Sequence, residues 1–116
     1  MKFVLNLYRD RAAPRGADGD HRRFLAAAHE AGELIGGHVL ADPSHSVVVR
    51  VRDGVTAVVR GPRRPAPGHL AEQYLLDCES LERAVELAAL IAGDEPGEES
   101  GGVEVRPLMN PAGLEM

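Results

Sequence analysis

The chain has 116 residues, 44% hydrophobic and 27% charged, with a formal net charge of −5, which suits one globular domain and not two. The acidic balance argues against general nucleic-acid binding, which needs clustered positive charge, and an aromatic content of 3% with no Trp leaves few platforms for base stacking. A single Cys78 excludes an intrachain disulfide, no run reaches the ~18 apolar residues of a membrane span, and no signal-peptide pattern is present, so a cytoplasmic protein is expected.

Lys2–Tyr8 alternates, with Phe3, Leu5 and Leu7 on one side and Val4, Asn6 and Tyr8 on the other, the pattern of a strand with one apolar face. A polar loop over 9–19 follows, in which Asp18 or Asp20 is placed to cap the next helix. His21–Ala31 carries Phe24, Ala27, Ala28 and Ala31 at helical spacing and ends at Gly32. Glu33–Ala41 reads as a second strand, and Gly36-Gly37 within it predicts a bulge or a close backbone approach. Asp42-Pro43-Ser44 turns the chain.

Asp53-Gly54 between two Val-rich runs is a strong hairpin signal, because a type I′ turn needs positive φ at both central residues. The implied register sets Arg52 opposite Val55, Arg50 opposite Ala57, Val48 opposite Val59, Val51 opposite Thr56, Val49 opposite Val58 and Val47 opposite Arg60. Opposed residues share a face. Val47, Val49, Val51 and Val58 then form an apolar face suited to a helix layer, and Arg50 and Arg52 lie on the other face among aliphatics. Pro62, Pro65 and Pro67 make 60–68 a stiff loop. Gln73–Cys78 is a strand, with Cys78 as core filler. Ser80 caps a helix over Leu81–Ala92 whose stripe is Ala84, Leu87, Ala88 and Ile91. An acidic, Gly-rich stretch over 93–102, expected to be mobile, leads to a last strand over Val103–Met109 and a short tail from Asn110.

The order β-α-β-β-β-β-α-β is a split β-α-β plan with an added hairpin: an α+β, ferredoxin-like antiparallel sheet in a single domain over 1–109. Two helices cover one face. The other holds Val4, Asn6, Tyr8, Arg50, Arg52, Glu104 and Arg106, and a symmetric homodimer is the simplest cover for it. Tyr8, Arg50, Arg52 and Arg106 would then line a cavity between the sheets and bind a small anionic organic ligand; the competing reading pairs the arginines with Glu104 or across the dimer. Arg60, Arg63, Arg64 and His69 form a basic loop best read as solvated. The five histidines lack metal-ligand spacing, and the glycines lack phosphate-loop or dinucleotide fingerprints, so no metal or cofactor is expected. No Gly-X-Ser-X-Gly elbow is present.

The segments AGELIGGHVLADP, VVVRVRDGVTAVVRGP, YLLDCESLERAVELAALI and GGVEVRPLM resemble YCII-related proteins of the DGPF subgroup, from Met1 to about Met109. The resemblance implies a ferredoxin-like dimeric α+β barrel. Some relatives are muconolactone-isomerase-like or act in dechlorination and lactone chemistry, and many are encoded beside extracytoplasmic-function sigma factors. Two departures stand out: the name-giving Asp-Gly-Pro-Phe is Arg60-Gly61-Pro62-Arg63 here, and the acidic run that usually follows is replaced by RPAPGH. The family's active-site His and Asp map by spacing onto His21 and Asp42, a candidate catalytic pair in which the carboxylate orients the imidazole for proton transfer. The plainer alternative makes His21 a solvated first-turn residue and Asp42 a turn initiator. The expected function is therefore a small-molecule-binding homodimer carrying out a proton-transfer or lyase/isomerase-like step with His21 and Asp42. The alternative is a non-catalytic accessory or regulatory protein linked to sigma-factor signalling.

Overall fold

A computed structural model describes residues 1–9, 21–62, 69–94 and 100–109. In chain order the elements are β1 (Lys2–Arg9), α1 (Arg22–Glu30), β2 (Leu34–Val39), a 3-10 turn (Pro43–His45), β3 (Val47–Arg52), β4 (Val55–Arg60), β5 (His69–Asp77), α2 (Leu81–Asp94) and β6 (Ser100–Pro107). β2, β5, β1 and β6 lie side by side in that order as an antiparallel sheet, and β3 and β4 form a separate two-stranded ribbon. The fold is α+β, consistent with a ferredoxin-like plan. Of the acidic stretch over 93–102, residues 95–99 lie outside the described residues and its two ends belong to α2 and β6; the Asp18 and Asp20 cap candidates, Pro65, Pro67 and the tail also lie outside them.

The alternation of β1 decides which face is core. Phe3, Leu5 and Leu7 are at most 2% exposed, and each is opposed on β5 by Leu76, Tyr74 and Glu72 respectively. On the other flank, Val105 and Val103 sit opposite Leu5 and Leu7. The helices close this face. Ala84, Leu87, Ala88 and Ile91 of α2 and Phe24 and Ala28 of α1 are buried there, and full burial of Leu87 or Ile91 contributes roughly 2 kcal/mol each. The small residues let the helices lie close to the sheet and to each other.

Both helices are stopped and started by local chemistry. Gly32 adopts φ +70, and the Glu33 and Gly32 amides donate back to Ala28 and His29 carbonyls at 2.8 and 3.0 Å, a Schellman closure of α1. Ser80 caps α2 by accepting the Arg83 amide at 3.2 Å. Arg83 then reaches back from the first turn of α2 to Glu33, with its Nε 3.0 Å from Oε1 and Nη2 2.9 Å from the same oxygen, tying the two helix junctions together.

β2 shows both effects expected of Gly36-Gly37. The ladder shifts register between Leu34 and Gly36, and Gly37 lies directly opposite Tyr74 with that ring laid against its Cα. A Cβ at Gly37 would collide with the ring and come within 2.9 Å of the Gln73 carbonyl oxygen, whereas a Cβ at Gly36 meets open space.

The hairpin register is as the turn chemistry implied, from Arg52 opposite Val55 to Val47 opposite Arg60. Asp53 and Gly54 have φ of 53 and 77, as a type I′ turn demands. Its setting corrects one expectation. The face of Val47, Val49, Val51 and Val58 has no helix layer over it; all four valines are more than half exposed. The ribbon is not part of the main sheet, so Arg50 and Arg52 do not share a face with Val4, Asn6, Tyr8, Glu104 and Arg106.

Gly37→Ala is expected to lower stability by ~1–3 kcal/mol, because backbone as well as the Tyr74 ring must move, whereas Gly36→Ala should change it by less than about 0.5 kcal/mol. Urea unfolding of the two variants side by side checks the contrast.

Candidate functional site

Glu72 is in phase with Tyr74 and Leu76 on β5, so strand geometry drives a carboxylate onto the core face, where its residue is 3% exposed. Three groups converge on it. Arg9, at the end of β1, sits beyond a register shift at Leu7/Tyr8 and brings Nη1 to 3.2 Å from Oε1. Tyr74, two residues along the same strand face, donates its hydroxyl to Oε2 at 3.1 Å. His21, 3% exposed, places Nε2 3.3 Å from that same oxygen. Its ring stands edge-on to Tyr74 at a centroid distance of 6.3 Å, and Tyr74 in turn packs on Phe24 at 4.8 Å.

The backbone of His21 shows what this placement costs. It occupies the N-cap of α1, where Ser, Thr, Asp or Asn would accept a helix amide, yet it makes no side-chain cap and adopts left-handed φ 57. A lost cap and a left-handed non-glycine residue each cost about 1 kcal/mol. The ring is turned into the protein towards Glu72 instead. Burial pushes the Glu72 pKa up, but the hydrogen bond and charge of His21, and then those of Arg9, outweigh it and lower the pKa from 4.5 to about 2.

The carboxylate beside His21 is therefore Glu72, which replaces Asp42 in the expected pair. Asp42 is exposed at the start of the 3-10 turn, where its Oδ1 accepts the Ser44 amide at 2.9 Å. Hydrogen bonds from Ser44, with smaller charge effects of His45 and His69, hold its carboxyl below the usual range. The turn-initiator reading fits this geometry.

The four expected ligand-binding residues divide into two pairs. Tyr8 and Arg106 meet on the open face of the sheet, both at Glu104: the Tyr8 hydroxyl lies 3.4 Å from Oε1 and Arg106 Nη2 2.9 Å from Oε2. Gln73 donates to Asn6 at 2.8 Å and Asn6 to Glu104 at 2.9 Å, completing a polar row across β5, β1 and β6. Asn6, then Arg106 and Tyr8, hold the Glu104 pKa below its ordinary value. Arg50 and Arg52 stand apart on the exposed ribbon. Of the basic loop, Arg60 is exposed at the end of β4 and His69 is half-buried at the start of β5, while Arg63 and Arg64 lie outside the described residues. Cys78 is 2% exposed, and burial, followed by the charge of Glu33, raises its thiol to about 11, which makes it an unreactive core residue at neutral pH.

A cavity of about 290 Å³ opens beside Val4, Gln73, Leu75, His38 and Leu108, with Gly37 and Tyr74 at its inner edge. Tyr74 links it to the Glu72 cluster on the helix side. Among the described residues no group of His, Cys, Asp and Glu is arranged to hold a metal ion, and no helix is long and apolar enough to cross a membrane. No family model matches the chain, and no curated protein sequence matches it.

Sequence reasoning missed Glu72, Arg9 and Tyr74. The available signal was a charged residue in phase with Tyr74, Leu76 and Cys78, visible once the strand is extended back to His69. The depressed pKa has a signed consequence. A carboxyl lowered in the folded state adds stability above its unfolded pKa near 4.5 and loses it as pH falls towards 2. Between about pH 6 and pH 2 the native chain should lose up to ~3 kcal/mol more than Glu72→Gln. Urea unfolding at stepped pH checks this; parallel curves for the two proteins would contradict the pairing.

Proposed function

We propose that this chain is a small-molecule-binding protein of YCII-related type that acts as a homodimer and moves a proton at His21. The observation that carries the reading is the convergence of His21, Arg9 and Tyr74 on buried Glu72, with His21 at a cap position that gives up stability to turn the imidazole onto that carboxylate. Glu72 engages Nε2 and fixes the orientation of the ring, and the proton step is assigned to this imidazole. Arg9 holds the Glu72 charge in place, and Tyr74 supplies a hydroxyl beside it. A histidine oriented in this way suits abstraction of a proton next to a carbonyl, the shared step of isomerase and lyase chemistry on small keto acids and lactones.

A second reading rests on a different observation. The valines exposed on the ribbon suit an interaction protein, and a non-catalytic accessory or regulatory role in sigma-factor-linked signalling is its concrete form. Gene neighbours separate the two: catabolic enzymes favour the first, a sigma factor the second.

Solvent exchange tests the catalytic reading directly. Small keto acids and lactones incubated with the protein in deuterated water should lose the NMR signal of the proton next to the carbonyl faster than in buffer. His21→Gln should slow this by ~10²-fold or more. Exchange no faster than buffer across the panel, for native and variant alike, would overturn the reading.

A further inference from the structure

We propose that the β3–β4 ribbon is an arm whose aliphatic face seats on a second copy of this chain. The inference rests on the homodimer reading above and names the surface that makes the dimer. A two-stranded ribbon is marginal in water by itself. This one presents Val47, Val49, Val51 and Val58 on a single face, at 57%, 58%, 66% and 61% exposure. Neither outer edge is paired within the described residues, since the ribbon contains only β3 and β4.

Charge selects the occupant. The ribbon carries Arg60 on the seated face and Arg50 and Arg52 on the opposite one, against Asp53 in the turn, whereas the whole chain is −5. The body of another copy is thus electrostatically complementary to the arm. It also offers an apolar landing place, the groove lined by Val4, Leu75 and Leu108 on the open face of the sheet. A two-fold axis makes the exchange reciprocal, each arm resting on the other body.

Sedimentation equilibrium of the native chain, of Val49→Lys/Val58→Lys and of Ala57→Lys tests the assignment. The first variant charges an opposed pair at the centre of the aliphatic face; the second charges the opposite face. The arm model predicts a native dimer, a dissociation constant raised ~100-fold or more in Val49→Lys/Val58→Lys, and an Ala57→Lys dimer close to native. A native dimer left intact by Val49→Lys/Val58→Lys would overturn the arm and leave the homodimer standing, whereas a native monomer at tens of micromolar would overturn both. If the double variant fails to fold, deuterium uptake over 47–60 in the native protein decides. Protection that rises with protein concentration supports the arm; fast uptake in the dimer refutes it.

Discussion

A charged carboxylate inside a small core must be paired, and the pairing of Glu72 governs how the elements around it can be arranged. Strand alternation forces Glu72 onto the face it shares with Tyr74 and Leu76, so the surrounding chain has to bring cations and donors to it. Arg9 arrives through a register shift in β1, Tyr74 from the same strand as Glu72, and His21 from the N-cap of α1. The cluster thus joins the central pair of strands to the start of a helix. Removing a single member would leave charge or hydrogen-bonding capacity buried without its counterpart, which is more damaging than the pair is stabilising.

Tyr74 extends the consequences of that arrangement outwards. Its ring fills the space between His21 and Phe24 and lies over Gly37, so the absence of a side chain on β2 is what lets the ring reach its place. The glycine pair therefore has different duties at its two positions. Gly37 admits the ring, while Gly36 sits where the ladder changes register.

Much of the fold was legible because its signals are local. Asp53-Gly54 set the hairpin register, the β1 alternation set the buried face, and Ala84, Leu87, Ala88 and Ile91 marked the buried stripe of α2. The site was less legible because it depends on tertiary proximity. Spacing along the chain suggested Asp42 for His21, but Asp42 is held in its own turn by Ser44, and the carboxylate that meets the imidazole comes from a strand about fifty residues later. The hairpin failed in a different way. Its pairing followed from sequence, but which surface covers it did not, since four valines on one face state a need for burial without naming the partner.

The central claim is that Glu72 remains ionised because His21 and Arg9 hold it so. Selective carbon-13 labelling of glutamate, with the Glu72 carboxyl resonance followed by NMR as pH is lowered, tests it most directly. The account predicts no titration step near 4.5 and a midpoint close to 2, rising towards the ordinary value in Arg9→Met. A Glu72 resonance that titrates near 4.5 in the native fold would contradict it.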